Sequence, residues 1–422
     1  MTTQQTHAPQ ASALHATDGG GHVAAPLNFV HVLQTMLGVS DKVSDLIFSP
    51  GRPPQVELLG KLQGVPYPGL EKLTPIHTSG ISKIIMAKNP AAIESLEKFG
   101  SADVSFSAPG LSRFRVNIFM QRGTHAIVMR VIPTEPPKWS DFNLPPQLKE
   151  IAELKNGLVL VTGPTGSGKS STLAAIIDLI NEEKYYHIVT IEDPIEFLHR
   201  HKNSTIHQRE LHSDTPDFAR ALRAALRQAP KVILVGEMRD RETIEVALEA
   251  AETGHLVFST LHTIDASKTV DRIIGVFPKI EEQAIRARLS QTFRYIVSQR
   301  LVPRADKKGR VAAMEILKST ARTREYMEHG EKEGKSLIDA MEQGELEGMQ
   351  TFDTVLEKMV RSGTLNRDEA LSYASNQGNL RLRLADFDGT PEAKPSATAA
   401  QTTTPPPAPP KPGNSMLDML DR

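Results

Sequence analysis

Apolar residues at Phe29, Val32, Leu33, Met36 and Leu37 fall at i, i+3, i+4, i+7 and i+8, which predicts a first amphipathic helix. Short strand-like patterns follow at Val56–Leu59 and in the alternation Phe114-Arg115-Val116-Asn117-Ile118. A different rhythm starts after Pro133-Thr134-Glu135-Pro136-Pro137, which reads as a linker. Beyond it, the β-rich runs Leu158–Thr162, Ile188–Ile191, Val232–Val235 and Leu256–Thr260 alternate with longer helical patterns. Continuous apolar strands separated by helices predict an α/β parallel sheet. Neither end has such a pattern. Residues 1–25 are rich in Thr, Gln, Ala, Gly and His, and residues 388–422 carry the run Thr404-Pro405-Pro406-Pro407-Ala408-Pro409-Pro410. Both predict unpacked tails. The expected order is therefore a tail to 25, a first domain over 26–132, a linker over 133–142, a second domain over 143–387 with a helical C-terminal part, and a second tail.

Composition narrows the function classes. The 422 residues carry 49 Lys+Arg against 50 Asp+Glu, a formal net charge of −1, which weighs against a chain built to grip nucleic acid. There is no cysteine, so disulfides, thiol nucleophiles, iron–sulfur clusters and thiolate zinc sites are excluded. No apolar run reaches the roughly 18 residues of a membrane span, and residues 1–10 lack the marks of a secretory signal. The expectation is a cytoplasmic protein without direct membrane insertion, meeting a membrane only through a partner.

The chemistry concentrates in the second block. Gly163-Pro164-Thr165-Gly166-Ser167-Gly168-Lys169-Ser170 fits the phosphate-loop pattern, follows a strand and opens the helical stretch Ser171–Ile180. Its glycines let backbone N–H groups turn toward phosphate oxygens at the positive end of a helix. Lys169 brings a point charge to the β- and γ-phosphates, and the Ser170 hydroxyl is a Mg²⁺ ligand candidate. Two carboxylate clusters sit where strands end: Glu192, Asp193 and Glu196 after Ile188–Ile191, and Glu237 after Val232–Val235. Most phosphate-loop ATPases end the latter strand with Asp, and here Gly236 stands in that place. Either Glu237 acts alone or Glu192 and Asp193 share the acidic work. His255 and His262 flank Leu256–Thr260, while Arg223 and Arg227 lie at i and i+4 of a helix predicted over Phe218–Ala229.

These motifs, in this order, resemble the secretion-type (type II/IV) hexameric ATPases, and most closely their PilT/PilU-type pilus-retraction branch. The resemblance covers about Leu27 to Phe387 and rests on the phosphate loop, the acidic box Thr190–Phe197, the segment Leu222 to Asp240, and the histidine box Gly254–Thr263. It implies a RecA-like P-loop NTPase domain preceded by a smaller α+β PAS-like domain, with ATP and Mg²⁺ bound between them in a homohexamer. Arg115 and Arg130 are then expected as arginine fingers. Glu192, Glu237 and His262 are expected in catalysis, Arg223, Arg227 and His255 beside the nucleotide, and Ser170, Glu237 and Asp193 at the metal. The implied partner is an inner-membrane pilus platform protein, with the ATPase peripheral at the pilus base. Thr320–Met327 departs from the retraction motors' C-terminal helix, whereas Gly348–Asp353 and Asn379–Leu384 resemble the accessory branch, which assists a sister ATPase. A nucleic-acid motor and a non-hydrolysing ring are the rival readings. The absent cysteines tilt the choice toward retraction, because assembly-type relatives commonly carry a four-cysteine zinc insertion.

Overall fold

The computed structural model describes residues 28–387 except Lys88 and Asn143, so both predicted tails lie outside the described residues. The chain forms two sheets, each with its own helices. The first sheet contains β1 (Val43–Phe48), β2 (Gln55–Leu58), β3 (Lys61–Gly64), β4 (Ser101–Ala108), β5 (Ser112–Gln121) and β6 (Thr124–Ile132). Its order is β3-β2-β1-β6-β5-β4, with every neighbouring pair antiparallel. Helices Phe29–Leu37, Pro75–Met86 and Pro90–Phe99 join its core. The first helix lies where its periodicity predicts; Asn28 caps it by accepting from the His31 N–H, and Phe29, Val32, Leu33 and Met36 are buried. We call this unit the N-domain.

The second sheet contains β7 (Gly157–Thr162), β8 (His187–Glu192), β9 (Thr205–Glu210), β10 (Val232–Val235), β11 (Leu256–Leu261), β12 (Phe293–Pro303) and β13 (Arg310–Lys318). The order is β13-β12-β7-β11-β10-β8-β9, parallel throughout except for the β12–β13 hairpin. Both faces of the sheet are covered by apolar clusters, which is why β7, β10 and β11 are buried at every position and read as unbroken apolar runs. Helix Lys169–Glu183 follows β7, and helices Arg241–Glu252 and Ala266–Ile274 follow β10 and β11. All strand-to-helix turns of this kind gather at the carboxyl edge of the parallel strands, where ligands of such sheets bind.

A further helical layer, from Phe352–Arg361 to Gln377–Arg383, covers the far end of the β12–β13 hairpin. Arg300 fastens it: the guanidinium donates to the Tyr373 carbonyl and to Ser375 Oγ, and lies 3.7 Å from the centre of the Phe352 ring.

One predicted element is shorter than expected. The helix after Asp217 spans Phe218–Ala225, not Phe218–Ala229. Its end tightens through Arg227 N–H to the Ala224 carbonyl and Gln228 N–H to the Ala225 carbonyl. Ala229 then takes a left-handed φ of 50°, immediately before Pro230. A residue preceding proline is pushed out of helical conformation, so the helix stops before it.

Candidate nucleotide site

The phosphate loop leaves the end of β7 and is braced from below. Gly163 (φ 145°), Gly166 (φ 78°) and Gly168 (φ 89°) adopt backbone conformations open to glycine. A Cβ on Gly163 would stand 2.4 Å from the Gln299 carbonyl oxygen, and one on Gly168 would stand 2.9 Å from Gln299 Nε2. Gln299, buried on β12, makes these approaches useful: its Nε2 donates to the Ser167 carbonyl at 2.7 Å, and its Oε1 accepts from Thr172 Oγ at 2.8 Å. The loop is thus tied to the sheet and to its own helix by one amide. The Lys169 ammonium is buried and donates to the carbonyls of Gly163 (2.9 Å) and Pro164 (3.1 Å). Burial lowers its pKa, opposed by the charges of Glu196 and Glu237. Phosphate oxygens entering the loop would take over its protons.

A cavity of about 680 Å³ opens beside this loop. Thr165, Gly166, Gly168, Lys169, Ser170 and Ser171 line one side, and Glu192, Asp193, Glu196, Glu237 and His262 the other. Glu192, at the tip of β8, accepts from Thr190 Oγ at 2.6 Å and Gln208 Nε2 at 3.1 Å. Burial raises its pKa, while these hydrogen bonds pull the other way. Glu237, just past β10, pairs with Arg239 at 2.7 Å and faces His262 Nε2 at 3.5 Å. Burial and the Lys169 charge lower the His262 pKa, so the neutral imidazole is favoured. Gly236 acquires a reason here. Its N–H donates to the Ile191 carbonyl at 2.8 Å, and a Cβ would meet that oxygen at 3.3 Å and Glu192 Cα at 3.4 Å. A side chain at this position would crowd the backbone that carries Glu192.

The N-domain contributes to the cavity through Arg115 on β5. Arg130, its cross-strand neighbour on β6, is not part of the cavity wall: it binds Asp45 within the N-domain at 2.9 Å. Three other expected residues also stand elsewhere in this chain. Arg223 pairs with Glu242 on the neighbouring helix, and Arg227 sits exposed in the turn past the shortened helix, so the i, i+4 face that would have joined them does not exist. His255 precedes β11 at its amino end, opposite the phosphate loop, and hydrogen-bonds the Ala250 carbonyl at 2.9 Å. Strand direction separates it from His262, which follows the same strand at the carboxyl end.

The cavity also contains residues that motif reading missed. Phe218, Arg239, Leu301 and Arg310 line it. Gln208 orients Glu192 while its own amide is occupied by the His199 N–H and the Phe197 carbonyl. Leu301, Arg310 and the brace Gln299 come from the β12–β13 hairpin, more than 120 residues beyond the phosphate loop. No local pattern connects them to it.

Oxygen donors predominate on the acidic side of the cavity, the donor type that Mg²⁺ prefers. No group of three or more His or acidic side chains among the described residues could hold a metal ion by itself. A cation there would take the Ser170 hydroxyl, one or two carboxylates, water and the phosphates themselves as ligands, the usual arrangement for Mg²⁺ with nucleotides.

Residues 103–377 match the model of the family described as type II/IV secretion system protein. The chain belongs to this family. It is 44% identical over 337 residues to the type IV pilus retractation ATPase PilT of Pseudomonas aeruginosa, covering 80% of this chain and 96% of that one. It is 38% identical over 342 residues to the type IV pilus ATPase PilU of the same organism, covering 81% and 87% respectively. Among solved structures, the pilus retraction motor PilT with bound ADP matches with a TM-score of 0.74 at 40% identity, over 84% of this chain and 99% of that one. The Legionella pneumophila ATPase DotB matches with a TM-score of 0.69 at 31% identity, over 81% and 94%. As in its relatives, the family fold here joins an N-terminal domain to a mixed α/β ATPase domain. No helix among the described residues is long and apolar enough to cross a membrane.

Proposed function

We propose that this family member is a Mg²⁺-dependent ATPase working as a homohexameric motor of type IV pilus retraction. The observation that carries this reading is the two-sided cavity. The phosphate loop, Glu192, Glu237 and His262 come from one domain and Arg115 from the other, in a chain alignable with almost the whole of a retraction ATPase. The loop glycines and Lys169 bind the phosphates; Ser170, with Glu237 and Asp193, would hold the cation, which when bound would supply positive charge to the phosphates. Glu192, with its raised pKa, is suited to accept the proton of the attacking water. The water oxygen bonds to the γ-phosphorus, the bond to the ADP oxygen breaks, and Arg115 offsets the charge on the transferring group.

Coupling follows from the same geometry. A nucleotide gripped from both domains draws them together, and release after hydrolysis lets them part; around a ring, this rigid-body motion becomes force on a platform protein at the inner membrane. The protein would then be cytoplasmic and peripheral at the pilus base. The direct test is deletion of the gene followed by imaging of labelled pili: extension without retraction is expected. Retraction at normal speed with reduced force would instead assign the chain to the accessory role beside a sister ATPase. That second reading is favoured by the likeness to PilU.

A further inference from the structure

Strand β5 presents two arginines to the ATPase domain, and the nucleotide site accounts for only Arg115. Side chains alternate along a strand, so Arg113 shares the face of Arg115 while Phe114 and Val116 enter the N-domain core. Arg113 Nη2 lies 3.1 Å from Glu210 Oε2, and Nη1 donates to Ser107 Oγ at 3.1 Å. Glu210 belongs to the other domain: it ends β9, opposite Glu192 in the register with β8, and is 3% exposed. The same Oε2 accepts from the Ile195 N–H at 3.0 Å. Ile195 is buried in the middle of the acidic loop, whose Glu192, Asp193, Pro194, Glu196 and Phe197 all line the cavity. The loop has a second tie to the same side, from the Leu198 N–H to the Pro133 carbonyl at 3.3 Å. One carboxylate oxygen therefore joins a cation of the N-domain to the backbone that aims the catalytic acids.

We propose that Arg113 and Glu210 form a positioning pair through which the N-domain, when seated over the nucleotide, holds the acidic loop in its hydrolytic arrangement. Neither side chain reaches the reacting atoms. When the N-domain lifts, Glu210 loses its cation; a buried carboxylate without a counter-charge is strongly disfavoured, so it moves toward water and draws the Ile195 backbone with it. ATP hydrolysis is thereby confined to the closed domain arrangement. The inference rests on the reading of the acidic loop as part of the hydrolytic site.

The test uses the full-length protein and four variants: Arg113→Ala, Glu210→Gln, their double variant, and Glu192→Gln. Glu210→Gln keeps an acceptor for the Ile195 N–H while removing the ion pair. Each single variant is expected to lower kcat about tenfold, in the range of coupling between linked sites, with the ATP dissociation constant within about twofold of wild type. The double variant should lose no more than either single one. Arg113→Lys, which keeps the charge, should regain most of the turnover; melting midpoints identify any variant that fails to fold. Losses that multiply in the double variant, or ATP affinity falling in step with kcat, overturn the proposal. Glu192→Gln separates the two readings. If it is inactive while Arg113→Ala and Glu210→Gln turn over normally, the pair alone is wrong; if it turns over normally, the acidic-loop reading fails and takes the pair's role with it.

Discussion

The two walls of the nucleotide cavity are built differently. The ATPase wall is preassembled: buried parallel strands hold the phosphate loop, Gln299 locks it, and Glu192 and Glu237 already have hydrogen-bond or ionic partners. The N-domain wall amounts to one exposed arginine at the cavity, Arg115, on a strand from a separate sheet. Preassembled chemistry on one side and a single charge from a separate domain on the other would suit the motor proposed above. On the proposed mechanism, the affinity for nucleotide resides in the first wall, and the second decides when turnover proceeds. The apolar clusters of the two sheets are separate, so the two walls are held by different cores.

That contrast is open to attack from both sides. The largest effect is expected from Lys169→Ala, which removes the loop's charge and should abolish measurable ATP binding in a fluorescent-nucleotide titration. Retained binding would show that the preassembled wall does not carry affinity. Glu237→Gln should next lower kcat by about a hundredfold or more with binding preserved, as loss of a group acting on the transition state does. Arg115→Ala is expected to cost about tenfold or more in kcat and much less in ATP affinity; equal losses would make the second wall an ordinary binding surface. Arg130→Ala tests the placement of its partner strand. With its guanidinium on Asp45, the change should leave single-turnover hydrolysis near wild type and lower the melting midpoint, because the buried Asp45 carboxylate loses its cation. A loss matching that of Arg115→Ala would mean that Arg130 serves a nucleotide held by a neighbouring chain.

The smallest effect concerns a carboxylate outside the cavity. Glu315 on β13 is buried and accepts the Ala266 N–H at 2.8 Å, anchoring the helix that follows the His262 segment. Burial pushes its pKa up to about 7. A carboxyl whose folded pKa is raised contributes stability fully present below its unfolded value, near 4.5, and lost as pH rises through about 7. The gap in melting midpoint between pH 5.5 and pH 8 should therefore shrink in Glu315→Gln, with the variant gaining most at pH 8. An unchanged gap would place that pH dependence elsewhere.

Legibility in the sequence follows the same divide. The phosphate loop, Glu192 and Glu237 could be read because each sits within a few residues of the strand that aims it, and unbroken apolar runs mark such strands. Val232–Val235 falls where its run predicts, and β7, β8 and β11 differ only by an end residue or two. The residues this chain places away from the cavity, and those it adds without a motif, turn on direction or on distance. His255 and His262 bracket one strand, but a parallel strand brings only the residue that follows it to the carboxyl edge, and His255 precedes β11. Arg223 and Arg227 were joined by a periodicity that Pro230 cuts short. Gln299, Gln208 and the Arg113–Glu210 pair act across separations of 16 to more than 120 residues, and nothing local in their type distinguishes them from ordinary polar positions.

The grip of Arg300 on the last helical layer has a practical corollary for anyone cutting this chain into pieces. Its neighbour Gln299 supports the phosphate loop, so successive residues of β12, pointing to opposite faces of the sheet, tie the loop and the last helical layer to one strand. A truncation ending at Lys318 would keep every recognisable nucleotide motif, yet it would strip the cover from Val302, Val311 and Ala313 and leave the Arg300 guanidinium without Tyr373, Ser375 and the Phe352 ring. The smallest honest fragment for measuring nucleotide affinity therefore extends to Phe387, and shorter pieces would report the cost of the cut.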